Sequence, residues 1–312
     1  MFTLRTMVRD DFDEVAGLIH LSTNIWYQQN LGHDIFEGPP SICRVFCDVY
    51  EDLDPGCGIV AVHSKTQTIV GSCFYHPREM HMSLGIMNVH PSYFGAGIAS
   101  RILEQIIAYA RDSDLPLRLV SSAMNLDSFS LYNRIGFAPF AAYQDMIMSV
   151  PKGGLKPLKD GVGDHESVLV RPATLDDVDA MGKVEFEVSG ISREKDYRYF
   201  IENEKGIWNT LVAENGDGEV IGFLGSIDDP GSRMIGPGVS HTADAAEALL
   251  LAQLDRFRGG KVVFLLPVNR PDIVQRMYAR RAKNCEIHFG QVLGDSQPVR
   301  GIVMPSFLPE TA

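Results

Sequence analysis

Long apolar runs are missing from this 312-residue chain: no stretch approaches the ~20 hydrophobic residues that a bilayer-spanning helix needs. Its opening, MFTLRTMVRDDFDEV, turns acidic where a secretion signal would turn hydrophobic, so the expectation is a cytoplasmic protein with no membrane partner. A surplus of positive charge is missing too. Formal net charge is -12, with 9 basic against 16 acidic residues in 1–150 and 19 against 24 in the remainder. Both halves would repel phosphate backbones, which argues against nucleic acid and in favour of a cationic acceptor such as an amine. The five cysteines include no CxxC pair, so neither a zinc site nor a redox dithiol is expected, and no metal is implied. Cys43 and Cys47 share a helix face at i, i+4, a spacing that suits two packing thiols. The phosphate loop GxxxxGK[ST] is absent as well.

What is present is enough apolar sequence for two cores. Hydrophobic residues make up 45% and charged residues 22%, and the length is about twice that of a usual single domain. The run 151–167, PKGGLKPLKDGVGDHES, has almost no apolar periodicity and reads as a linker. It separates 1–150 from 168–312. The two sides begin alike: LRTMVRDDFDEVAGL from Leu4 aligns without gaps on VRPATLDDVDAMGKV from Val170. In each, a strand ends at an arginine, Arg5 or Arg171, and a helix opens beside an aspartate pair, Asp10 and Asp11 or Asp176 and Asp177. A hairpin follows in both, with Gly71 or Gly222 early in its second strand, and then an asparagine, Asn125 or Asn269, after an apolar strand. Three echoes in one order indicate tandem copies of a mixed α/β fold, a central mixed sheet flanked by helices. The first copy reads as strand, helix, irregular segment, hairpin, strand near Leu84 to Val89, helix from Gly97 to Ala110, strand from Leu117 to Ser122, helix and final strand.

The stretch GIMNVHPSYFGAGIASRILEQIIAYA carries the most chemistry. A strand runs to Val89, the chain bends at His90 and Pro91, and a loop with Gly95 and Gly97 feeds an amphipathic helix. Glycines there let backbone N–H groups reach a ligand at the positive end of the helix, a nest suited to a diphosphate. GAGIAS also imitates the dinucleotide fingerprint GxGxxG, but five residues separate its first glycine from the strand, and no acidic residue ends the following strand LRLVSS. A glycine turn without a ligand is the bland alternative.

These residues resemble the GCN5-related N-acetyltransferase superfamily. Gly95 and Gly97 fall on the glycines of its [QR]xxGxG/A loop, with Ser92 where a basic or amide residue is usual. Its second signature is matched by Asn125, Ser128, Leu131, Tyr132, Gly136 and Phe137 in order and spacing. The resemblance covers 1–150 and implies acetyl-CoA, with coenzyme A as product and direct transfer of acetyl to a primary amine of a small molecule or peptide. It implies a diphosphate on the backbone of Phe94, Gly95, Ala96, Gly97, Ile98 and Ala99. It also implies a pantetheine arm near Met87, Asn88, Val89 and Ser121, touched by Asn125 and Ser128. No nucleophilic triad is needed, and none is seen. Tyr132 would protonate the leaving thiolate, since a phenol near pKa 10 suits a thiol near 8.5.

For the base, YHPREMHMSLG offers Glu79 and His81, with His76 beside them; a solvated turn is the alternative for each. Trp26, Tyr27, His33 and Phe36 are candidates for an acceptor pocket, or for core. The second copy has Gly236, Pro237 and Gly238 well ahead of its helix, and Arg280, Arg281, Lys283 and Asn284 in place of the Gly-Phe turn. It reads as a degenerate partner that shapes or braces the first copy. Two other functions stay open: a protein N-acetyltransferase, and an acetyl-CoA-binding regulatory module without turnover. Monomer and homodimer both remain open, because a tandem can satisfy internally what single-domain relatives achieve by pairing.

Overall fold

A computed structural model describes residues 1–155 and 168–310, so most of the 151–167 linker lies outside the described residues. The first copy runs β1 (Phe2–Thr6), α1 (Phe12–Leu31), α2 (Arg44–Leu53), β2 (Gly58–His63), β3 (Ile69–Pro77), β4 (Met82–Val89), α3 (Ile98–Asp112), β5 (Leu117–Ser122), α4 (Leu126–Ile135) and β6 (Ala138–Ser149). The second repeats that order: β7 (Leu169–Pro172), α5 (Val178–Ser189), α6 (Glu194–Glu202), β8 (Trp208–Glu214), β9 (Val220–Asp229), β10 (Ser232–Ser240), α7 (Ala243–Arg256), β11 (Lys261–Pro267), α8 (Pro271–Ala279) and β12 (Lys283–Leu293). A short β13 (Ile302–Met304) follows.

The duplicated opening is duplicated in its bonds. Arg5 grips Asp11 with two hydrogen bonds of 2.6 and 2.8 Å, and Arg171 grips Asp177 at 2.7 and 2.8 Å. In each copy the aspartate also accepts a backbone N–H three residues earlier, from Val8 or Thr174. The segment after the first helix is not irregular as expected: it holds α2, whose Val45, Phe46, Cys47, Val49, Tyr50 and Leu53 are buried. β-branched and aromatic residues have poor helix propensity, so packing rather than intrinsic preference forms this helix.

Two compact units emerge, and they divide the chain differently from the repeats. The first comprises Met1–Leu119 with Asp229–Ser232 and Phe307–Glu310; the second comprises Val120–Asp228 and Arg233–Ser306. In the first unit β1, β2, β3 and β4 form an antiparallel sheet. Successive residues of β3 face opposite ways. Gly71 faces α3, where a Cβ would come within 2.6 Å of Ile98, whereas Ser72 lies across from Asn88, whose amide donates to Ser22 of α1 at 2.8 Å. Helices α1 and α3 therefore cover opposite faces.

In the second unit the two copies exchange their last long strands. β6, from the first copy, pairs antiparallel with β11 of the second along one edge and with β12 along the other. The unit's core sits around Met146 and Met148 of β6, Leu249 and Leu250 of α7, Phe264 and Leu266 of β11, and Met277 of α8.

Candidate acetyl-transfer site

The expected nest is present in the first unit. Pro91–Tyr93 form one helical turn, capped where the Ser92 N–H donates to His90 Nδ1 at 3.2 Å. Gly95 and Gly97 both adopt left-handed φ angles, 77° and 78°, in open space. This turns the chain so that α3 starts at Ile98 with no side-chain cap and no acidic residue in its first turn. The first intrahelical bond is donated by Arg101 to Gly97, leaving the N–H groups of Gly97, Ile98, Ala99 and Ser100 without intrahelical acceptors. Phe94 to Gly97 are exposed, so these donors can meet an anion. Gly71 seats the arrangement, because only a residue without Cβ lets the Ile98 side chain approach β3.

β4 leads into this nest and leaves its parallel neighbour early. It pairs with β5 at Met82–Leu117 and Ser83–Arg118 and not along the remainder of the strand. Gly85 and Ile86 together face Phe74 of β3, a bulge that bends the strand just beyond the separation point. Met87 and Val89 are half-buried and Asn88 is buried. Asn88 reaches Ser22 and Thr23 of α1, which fixes that helix over the open end of β4.

Glu79 and His81 are not brought to that end. They lie at the β3–β4 turn, with His81 about six residues and roughly 20 Å of strand from Met87. His81 is fully buried and Glu79 exposed. The neighbouring His76 belongs to a buried structural cluster: its Nδ1 is 2.6 Å from Asp54 Oδ2, and Arg78 donates to Asp54 Oδ1 at 2.8 Å. Burial opposes a charge at Asp54, but His76 and Arg78 outweigh it and hold the carboxyl well below its usual range. Polar residues in a turn attracted the base assignment, whereas the hairpin uses them to anchor the end of α2.

Of the four aromatic candidates, Trp26, Tyr27 and His33 meet one another at the end of α1, whereas Phe36 packs between His20 and Phe46. Trp26 and Tyr27 meet edge to face at 5.1 Å, Tyr27 lies 5.9 Å from His33, and Phe36 packs on Phe46 of α2 at 5.8 Å. Buried Asn24 accepts from the Ile35 and Phe36 backbones, holding the loop against the helix. The cluster is half-exposed except at His33, which is exposed. Cys43 and Cys47 are fully buried, and burial pushes both thiols up to about 12, as packing groups require.

In the second unit, β5 ends at Ser121 and Ser122, and Asn125 caps α4 by accepting the Ser128 N–H at 3.1 Å. α4 closes at Gly136, with φ 112°, and Phe137 returns an N–H to the Tyr132 carbonyl. Tyr132 is buried beside Phe137, ring centroids 5.7 Å apart. The second signature is thus a capped helix whose glycine turn seats the tyrosine.

Four residues at this place were not anticipated. Fully buried Gln291 of β12 donates to Ser121 Oγ at 2.6 Å. Glu286, also of β12, accepts from Ser122 Oγ. His288 lies between carboxylates, its Nδ1 2.9 Å from Asp145 of β6 and its Nε2 3.9 Å from Glu286. Asp145 and Glu286 are cross-strand partners, and two like charges so placed would repel without the imidazole between them. Burial works against a charged His288, but the hydrogen bond and charges of Asp145 and Glu286 prevail and raise its pKa. Burial raises the Asp145 carboxyl, and His288 offsets part of that. His288 thus stands between the two carboxylates, within hydrogen-bond distance of Asp145 and 3.9 Å from Glu286, and the ligand atoms of the three lie within 4.8 Å of one another. The alternation of Glu286 and His288 along a strand was the available signal.

The second copy lacks this opening. β10 pairs in parallel with β11 only at Met234–Val263 and Ile235–Phe264, as β4 does with β5. Beyond that point β13 pairs with Gly238, Val239 and Ser240, closing the edge that β4 leaves free. Gly236, Pro237 and Gly238 lie inside β10, and α7 is capped by the Thr242 side chain in the ordinary way.

The model of the acetyltransferase (GNAT) family matches residues 13–137. A candidate acetyltransferase from Pyrococcus horikoshii superposes with a TM-score of 0.72 at 15% identity, covering 99% of this chain and 95% of that one. A GCN5-related N-acetyltransferase from Sphaerobacter thermophilus gives 0.63 at 14% identity, over 94% and 95% of the two chains. A tandem GNAT protein from the clavulanic acid biosynthesis pathway gives 0.61 at 15% identity, over 95% and 100%. A search of curated protein sequences finds no match. Residues 13–137 match the GNAT acetyltransferase family model, and the chain as a whole carries the fold of tandem GNAT proteins.

Proposed function

We propose that the protein is an acetyl-CoA-dependent N-acetyltransferase whose single working site belongs to the first copy and whose acceptor is the primary amine of a small molecule or peptide. The observation that carries this reading is the open row of N–H donors at Gly97 to Ser100, beside a strand that parts from its neighbour at Ser83. The residues fit the group they would hold. Within Phe94 to Ala99, whose Phe94 and Ala96 N–H groups are taken up by the turn, Gly97, Ile98 and Ala99 offer the diphosphate main-chain amides, joined by Ser100, and Met87 to Val89 offer strand-edge partners to the pantetheine amides. Asn125 keeps its amide NH2 for the same arm while its oxygen caps α4. Bound acetyl-CoA supplies an activated acyl carbon. Tyr132 donates its proton to the departing thiolate.

The test is thiol release from acetyl-CoA against a panel of primary amines, with Tyr132→Phe as comparison. Amine-dependent release that falls about 10²-fold in the variant, with coenzyme A affinity kept, supports the reading. Binding without amine-dependent release favours the regulatory module instead, an alternative that Ser92 motivates by standing exposed where relatives carry a basic or amide side chain.

A further inference from the structure

Resting on the reading above, we infer that Glu286, carried on the strand the second copy lends, is the base that takes the acceptor's proton, receiving it through Ser122. His288 and Asp145 are its positioning residues. Four observations on the second unit converge on this. Ser122 is half-buried at the mouth of β5, one residue from Ser121 and three from Asn125, whereas Glu286, His288 and Asp145 behind it are each more than nine-tenths buried. The Ser122 hydroxyl is oriented for relay, since its oxygen accepts the Met124 N–H at 3.1 Å while its proton points to Glu286. The imidazole of His288 lies 3.9 Å from the same carboxylate oxygen that accepts from Ser122. Finally, His288 is itself held by Asp145 of β6, whose carboxylate lies 2.9 Å from its Nδ1.

The protons balance. An ammonium acceptor gives one proton to Ser122 Oγ as Ser122 passes its own to Glu286, leaving a neutral amine and a neutral carboxyl. The nitrogen forms a C–N bond to the acetyl carbon as the C–S bond breaks, and the thiolate takes the proton of Tyr132. The second amine proton, released as the amide forms, restores the tyrosine, and Glu286 returns its proton to solvent. One net proton leaves per turnover. Glu286 shares its strand face with His288, lies across from Asp145 of β6 and accepts from Ser122 of β5, with Tyr143 of β6 across from His288; β11 presents Leu265 opposite Asp145, and Cys285 lies on the exposed face of the strand.

The experiment compares Glu286→Gln, Glu286→Asp, Ser122→Ala and His288→Gln with the wild type in full-length protein. The acceptors are ethanolamine, glucosamine, spermidine, lysine amide and an alanyl peptide, each assayed from pH 6 to 10. Thermal melts and coenzyme A calorimetry accompany every variant. Glu286→Gln is expected to lower kcat about 10²-fold at pH 7. Its deficit should shrink about tenfold per pH unit towards pH 10, as free amine replaces ammonium in solution. Glu286→Asp should restore part of the rate, and Ser122→Ala should show the same slope as Glu286→Gln. His288→Gln should lower kcat with KM for acetyl-CoA kept, as expected of a residue that positions Glu286. A structural role alone would lower rates without changing their pH slope. Wild-type transfer with parallel pH profiles in folded Glu286→Gln and Ser122→Ala overturns this inference and leaves the proposed function standing. If Glu286→Gln does not fold, a flat deficit in Ser122→Ala overturns it equally. A wild type that binds no coenzyme A, or releases no thiol with any amine, overturns both.

Discussion

Placing a carboxylate in the first turn of α3 should raise stability and abolish cofactor binding together, and Ala99→Asp is the substitution that does it. Ala99 is the second helical residue, its N–H among the four without intrahelical acceptors, and the turn holds no acidic side chain. An aspartate there meets the positive end of the helix and contributes about 0.3–1 kcal/mol to the folded state. The same charge opposes a diphosphate. At about 6 Å and an effective dielectric near 20, one carboxylate repels one phosphate charge by about 3 kcal/mol, roughly a hundredfold in affinity. Ala99→Asn has nearly the same shape without the charge and should cost less than about fivefold.

The assay is calorimetric titration with coenzyme A at about 0.1 M and about 1 M salt, alongside urea unfolding of each variant. Opposite signs are the signature: midpoint up, affinity down, with the affinity loss largely erased at high salt as the Debye length falls from about 10 to about 3 Å. An Ala99→Asp protein that binds as tightly as the wild type, or that weakens no more than Ala99→Asn, would refute the nest as the diphosphate site.

Three other outcomes follow from the geometry. Gly71→Val drives a side chain to within 2.6 Å of Ile98 and should destabilise by about 1–3 kcal/mol while weakening coenzyme A binding; in combination with Ile98→Ala the measured cost should be less than the sum of the two. Asp177 is held down to about 2, chiefly by Arg171, so its stabilisation is present above the unfolded value near 4 and is lost as pH falls through about 2; acid unfolding of Asp177→Asn should lack that slope. A fragment ending at 155 should fail to fold natively beyond β5, since β6 would lose both of its ladder partners; a sharp melting transition and dispersed amide spectrum for that fragment would contradict the exchange.

Much of the first copy was legible because its signals are local. A glycine-bearing turn before an amphipathic helix, and an asparagine, a tyrosine and a Gly-Phe turn around the next helix, each specify geometry within about a dozen residues, and α3 and β5 fall where those patterns put them. Helix α2 was missed because its residues favour a helix only once packed. Glu79 and His81 adjoin β4 in sequence, but they lie at the turn that begins it, roughly 20 Å of strand from Met87. Glu286 and His288 were invisible to local signals, since they sit some 150 residues away in a strand read as belonging wholly to the other copy. Nothing in the alternation of a strand says which sheet position it will fill.

The exchange explains why a copy that has closed its own cleft is retained. β13 occupies the edge of β10 where the first copy keeps β4 open, so the second copy has no use for a nest, and its glycines have been absorbed into a strand. Its β12, however, is the strand that meets β6 along its length and carries Gln291 to Ser121 and Glu286 to Ser122. A mutation that damages β12 therefore removes more than a neighbour: it leaves Asp145 buried without the imidazole that offsets it, at a cost of several kcal/mol for an unpaired interior charge.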